Sequence, residues 1–190
     1  ETGNDSLLAL GIRGIGQALW YQGYFQEAID SIKSSLRLFQ KLGYEKEISD
    51  ATVIISSIYG NQGNYEKAFE YAQQALQLST FLKDTPNIVL SLVQLGYLYK
   101  NVGDYATAMN YYSRGFNYKP AIGHWPYRYL SICTGELYAD RQQYDSAWYF
   151  YQQSFNGNPG SKASMLRVAQ YHMALKNYDT ALHQFIDLYH

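Results

Sequence analysis

The sequence predicts an all-α fold, a superhelix of about five stacked helical hairpins, and three features carry that expectation. A short pattern of glycine, any residue, an aromatic, two residues and alanine recurs along the chain. Its spacing is nearly constant, which marks a repeat architecture rather than a single globular core. Between the recurrences the apolar residues follow helical periodicity, broken by turn signals at each end.

The pattern occurs as Gly23-Tyr24-Phe25-Gln26-Glu27-Ala28, Gly63-Asn64-Tyr65-Glu66-Lys67-Ala68 and Gly103-Asp104-Tyr105-Ala106-Thr107-Ala108. It returns without glycine as Tyr144-Asp145-Ser146-Ala147 and Tyr178-Asp179-Thr180-Ala181. Successive alanines are 40, 40, 39 and 34 residues apart. A small residue at Gly16, Ser56, Gly96, Gly135 or Ala169 lets a unit's first helix lie close to its second, where the repeated alanines also leave room. Tyr59, Tyr99 and Tyr138 follow three residues later and are expected to fill the space between neighbouring units. Gly23, Gly63 and Gly103 supply the positive φ that ends a helix.

Read in order, the expected helices are 6–22, 25–42, 46–62, 65–82, 86–102, 105–118, 126–141, 144–156, 161–175 and 178–190. They group into units of approximately 9–44, 49–84, 89–122, 128–160 and 162–190, all in one array spanning 1–190. The 40-residue units should have long second helices, running through Leu36, Leu38 and Phe39 and again through Leu76, Leu78 and Phe81. Pro120, Gly123 and Pro126 punctuate a local irregularity rather than a domain boundary.

Each unit resembles the tetratricopeptide repeat. The third matches best, through Leu92, Leu95, Gly96, Tyr99, Gly103, Tyr105, Ala108, Tyr112 and Pro120. The fifth is the loosest, with His172 where a tyrosine is expected. The resemblance implies a right-handed superhelix whose first helices line a concave, protein-binding groove. The extended units look like those of bacterial peptide-sensing regulators and of motor light chains. Tyrosine-rich, low-charge phrases such as Tyr144-Asp145-Ser146-Ala147-Trp148-Tyr149 are similar to sensing segments of larger bacterial regulators or envelope proteins.

The family's groove positions fall on Arg13, Gln17, Trp20 and Tyr21, then Val53, Ser57 and Asn61, then Val93, Tyr97, Lys100 and Asn101, then Ile132, Glu136 and Asp140. Of these, Arg13, Gln17, Trp20, Tyr21, Asn61, Tyr97, Lys100 and Asn101 are the candidate protein- or peptide-binding residues. Trp20, Tyr21 and Tyr97 are rigid anchors of the kind that dominate interface energy. Asn61 and Asn101 share a repeat position, where an amide serves either a peptide backbone or the helix end. The family's basic clamp for acidic chain ends is not expected. Gln17, Ile54, Leu90 and Gln94 stand where it needs asparagine and cations, which leaves only Arg13 compatible.

Composition narrows the function classes. The chain has 190 residues, 47% of them hydrophobic and 16% charged, with 21 tyrosines and a formal net charge of −1. Lysines and arginines are scattered singly, so no nucleic-acid partner is expected. No apolar run approaches a bilayer span, and any membrane association would come through segments outside this sequence. Cys133 is the only cysteine and reads as an inert buried thiol, which rules out an internal disulfide without naming a compartment. Asn4-Asp5-Ser6 is a formal glycosylation acceptor, and a periplasmic or extracellular setting is placed slightly ahead of the cytoplasm.

No catalytic residue, metal site or cofactor is expected. The cluster Gly11-Ile12-Arg13-Gly14-Ile15-Gly16 lacks phosphate-loop spacing and reads as helix-packing glycine. Glu136 and Asp140 share one helical face without a nucleophile and read as a solvated acidic surface. His124, His172, His183 and His190 lack the spacing of a zinc site and read as packing or surface residues. The expected function is a protein- or peptide-binding scaffold using its concave groove. The alternative is a structural adaptor that assembles through the ends of the array.

Overall fold

The computed structural model describes residues 2–118 and 125–155, and all secondary structure among them is helical. The helices are α1 (Thr2–Tyr21), α2 (Phe25–Leu42), α3 (Glu45–Asn61), α4 (Tyr65–Phe81), α5 (Thr85–Asn101), α6 (Tyr105–Asn117), α7 (Trp125–Asp140) and α8 (Tyr144–Phe155). They form four hairpins, α1–α2, α3–α4, α5–α6 and α7–α8, and each second helix packs on the first helix of the next unit. First helices also touch one another in sequence, α1 to α3, α3 to α5 and α5 to α7, so they share one side of the solenoid. The expected fifth unit lies outside the described residues, as do all four histidines.

The turns follow the sequence chemistry. Gly23, Gly63 and Gly103 have φ of 86°, 77° and 84°. Asn64 and Asp104 then cap the second helices, accepting from the amides of Lys67 and Thr107 at 3.3 and 3.0 Å. The fourth unit has no glycine at this position, and Gln142 takes the left-handed conformation instead, with φ 59°. Between units, Gly43 and Lys83 occupy equivalent positions at φ 71° and 54°. The long second helices of the first two units are present, with 18 and 17 residues in α2 and α4 against 13 in α6 and 12 in α8.

The core forms where small residues let helices cross closely. Ala28, Ala68, Ala108 and Ala147 are all buried. The Ser56 hydroxyl donates to the carbonyl of Ala68 at 2.7 Å, closing the α3–α4 crossing. Gly96 lies directly under the buried Tyr112 ring, and Gly135 under Tyr151. Tyr99 meets Phe69 of the preceding unit at 4.7 Å between ring centroids and stacks on Tyr111 of its own at 5.4 Å. Tyr59 accepts from Lys33 of the preceding unit at 3.2 Å, while Tyr138 stacks on Phe150 within its own hairpin.

Two sequence readings are corrected. Gly11 and Gly14 are not packing glycines: both are exposed, and a Cβ on either would meet nothing within 4 Å. Only Gly16 of that cluster lies against a neighbour, Ile32. Val93 does not face the groove. It is fully buried among Leu130, Cys133 and Leu137, because α7 packs directly against α5 there.

Candidate functional site

One cavity of about 490 Å³ is lined entirely by first helices. α1 contributes Arg13, Gln17, Trp20 and Tyr21, and α3 contributes Asp50, Val53, Ile54 and Ser57. Asn87 and Leu90 of α5 and Trp125 and Tyr129 of α7 complete it. Residues six before, three before and one after the small position fall on one helical face, and in α1 and α3 this face supplies Arg13, Gln17, Asp50, Val53 and Ser57. Asp50, Leu90 and Tyr129 occupy the position six before it in consecutive units.

The two ends of the cavity are aromatic. Trp20 stacks on Tyr21 at 5.4 Å and 15° between ring planes, and Trp125 stacks on Tyr129 at 5.1 Å and 10°. Such pairs stiffen each other and present flat apolar faces at little conformational cost. Tyr21 is 80% exposed and Trp125 60%, while Val53, Ile54 and Leu90 are only partly covered.

A polar ladder crosses the three helices that meet here. Arg13 Nη1 donates to Asp50 Oδ2 at 3.2 Å, and the guanidinium lies over the buried Phe39 ring at 5.6 Å. Asn87 hydrogen-bonds to Asp50 and donates to Asp84 Oδ2 at 3.3 Å. Burial pushes the Asp50 carboxyl above its ordinary range, and the Asn87 and Arg13 contacts only partly offset that.

Arg13, Gln17, Trp20 and Tyr21 therefore share the cavity, and Asn61, Tyr97, Lys100 and Asn101 do not line it. They sit near the C-terminal ends of α3 and α5. There the Tyr97 hydroxyl donates to Asn61 Oδ1 at 3.5 Å, and the Asn101 side chain is exposed. Lys100 reaches Asp140 Oδ2 at 3.2 Å and Glu136 Oε2 at 3.7 Å, tying α5 to α7. Burial draws the Lys100 pKa down, but the two carboxylates outweigh it and the net shift is upward. Glu136 and Asp140 thus engage Lys100; Asp140 remains exposed as the solvated-face reading expects, and what that reading missed is the tie to α5.

Asp50, Asn87, Trp125 and Tyr129 were missing from the sequence-derived groove. Their signal was the shared helical face, one and two turns before the positions that the family rule selects. Cys133 is buried, as expected, beside the Tyr129 hydroxyl. Among the described residues no group of three or more His, Cys, Asp or Glu is placed to hold a metal, and no helix is long and apolar enough to cross a membrane.

Comparison with known proteins gives the same architecture. Residues 47–120 match the family model of the tetratricopeptide repeat. No curated protein matches the sequence. Among solved structures, BtubC from P. vanneervenii superposes with a TM-score of 0.69 at 14% identity, over 97% of this chain and 79% of that one. NprR in complex with its cognate peptide NprX gives 0.72 at 16% identity, over 99% of this chain and 56% of that one. A repeat protein from Parabacteroides merdae gives 0.56 at 20% identity, over 95% and 65%. At these identities the likeness is one of fold, and the chain spans little more than half the length of NprR.

Proposed function

This chain carries tetratricopeptide repeats, and from that premise we propose that it is a scaffold that binds a peptide or an extended protein segment in its concave groove. The observation that carries the reading is the 490 Å³ cavity built only from first helices, with a stacked aromatic pair at each end. A cleft of this size, mostly apolar with a few convergent polar groups, suits side chains of a bound segment. NprR is a relative in fold whose structure holds a peptide, and its likeness supports the same ligand class here. The role that fits is that of a sensing segment.

The test is a pull-down followed by titration of the recovered partner. Trp20→Ala combined with Trp125→Ala should weaken binding by about 2 kcal/mol or more through loss of two anchors. The exposed α4 substitution Gln73→Ala should change it by less than about 0.5 kcal/mol. Full-strength binding by the folded double variant would sink the groove.

A second reading, assembly through an array end, has its own observation. Ile15, 59% exposed, occupies the repeat position of Ile55 and Leu95, which are buried against the preceding unit. With Leu8 at 54%, the outer face of α1 presents a surface on which a further unit or a second copy of the chain would pack. Light scattering over a concentration series separates this reading from a monomeric scaffold.

A further inference from the structure

We propose that the groove selects a basic segment, one carrying arginine or lysine side chains, over a neutral or acidic one; this rests on the groove reading above. The first observation is which partner of each ion pair faces outward. In the Arg13–Asp50 pair the Arg13 side chain is 20% exposed and the Asp50 side chain 40%. In the Lys100 clamp the lysine is 12% exposed, Glu136 21% and Asp140 46%. An approaching chain therefore meets carboxylate oxygens first at both clusters.

Both cations are also already engaged. Arg13 lies over the Phe39 ring, and Lys100 lies 5.9 Å from the Tyr97 centroid while bound to two carboxylates. Asp84 adds a further negative charge behind Asp50, linked to it through Asn87. An acidic segment would have to displace these partners, whereas a basic one adds to them.

The cavity ends supply the second, independent observation. The ring faces of the Trp20–Tyr21 and Trp125–Tyr129 stacks are surfaces on which a guanidinium or ammonium is attracted, guanidinium best because it also stacks. Among the described residues Arg13 is the only cation lining the cavity, and its charge is paired with Asp50.

The test uses three end-blocked peptides of about nine residues, alternating serine with arginine, with citrulline or with glutamate, titrated against the intact chain by isothermal calorimetry. Citrulline keeps the shape of arginine and removes its charge. The arginine peptide should bind about tenfold more tightly than the citrulline peptide, with the glutamate peptide weakest, and the preference should shrink between about 50 and 500 mM salt. Asp50→Asn, and separately the more exposed Asp140→Asn, should cut the arginine-over-citrulline preference to about threefold or less, and an undiminished preference in both variants would overturn the proposal. If the citrulline or glutamate peptide matches the arginine peptide while Trp20→Ala still abolishes binding, the basic preference is overturned and the groove stands. If binding of every peptide survives Trp20→Ala with Trp125→Ala, the groove reading itself falls.

Discussion

Arg13 and Asp50, 37 residues apart in sequence, tie α1 to α3 across 3.2 Å at the edge of the groove. The guanidinium itself lies over the Phe39 ring at 5.6 Å, which helps to hold it where it meets the acid. The pair is half-open to solvent, which limits its worth to about 1 kcal/mol. Its chief effect is to keep a partly desolvated carboxylate satisfied.

The pH dependence of that carboxylate follows with a definite sign. Its folded pKa lies above the ordinary value of 3.8, chiefly through burial, so the folded state holds the proton to higher pH than the unfolded chain. The stability contributed by this group is present below 3.8 and is lost as pH rises through the folded value. Arg13→Ala removes a lowering influence and should enlarge that loss, while Asp50→Asn should abolish it. Denaturation midpoints of the three proteins at several pH values from about 3.5 to 7 provide the measurement. A variant Arg13→Ala that tracks the parent at every pH would show that the pair does not couple.

Ile15 and Ile55 stand at one repeat position with opposite surroundings. Ile55→Ala should cost about 2 to 4 kcal/mol, since it removes a fully buried side chain from the core shared by α3 and the preceding unit. Ile15→Ala should cost less than about 0.5 kcal/mol in dilute solution, because Ile15 is 59% exposed. Equal losses in chemical denaturation would mean that the outer face of α1 is covered in solution.

The helices and turns were legible in the sequence because each rests on local chemistry repeated several times. Positive-φ glycines end the first helices, Asn64 and Asp104 begin the second ones, and small residues mark the crossings. The groove was legible only in part. Arg13, Gln17, Trp20 and Tyr21 followed from repeat position, but Asp50, Asn87, Trp125 and Tyr129 depend on how far the first helices run alongside one another. That is set by packing between units. Val93 shows the same limit from the other side: its repeat position points to the groove, and the closeness of α7 buries it.

Gln142 tests the turn rule where the sequence departs from it. It adopts φ 59° at the position that Gly103 fills at φ 84° one unit earlier. A non-glycine residue there costs about 1 kcal/mol or more, part of which glycine returns as unfolded-state entropy. Gln142→Gly should therefore leave stability unchanged or raise it by up to about 1 kcal/mol, whereas Gly103→Gln should lower it by a similar amount. A clear loss in Gln142→Gly, seen as a lower denaturation midpoint, would show that the glutamine side chain holds the turn in another way.

The glycines of the first helices separate packing from propensity, because alanine improves every helix interior by about 1 kcal/mol before contacts are considered. At Gly11 a new Cβ meets nothing within 4 Å, so Gly11→Ala should stabilise the protein by about 0.5 to 1 kcal/mol. At Gly16 the Cβ would come within 2.7 Å of Ile32 Cδ1, the end of a side chain that can shift, although the Ala28 carbonyl at 3.2 Å limits the escape. There the gain and the clash should roughly cancel. At Gly96 the Cβ would run into the Tyr112 ring, which is wholly buried and has no room to swing aside. Forcing α5 and α6 apart should cost about 1 to 3 kcal/mol, more than propensity returns. The expected order of denaturation midpoints is Gly11→Ala above the parent, Gly16→Ala near it and Gly96→Ala below it. If Gly96→Ala proves as stable as Gly11→Ala, the close crossing of α5 and α6 is not what the small position is for, and the packing logic assigned to every unit fails with it.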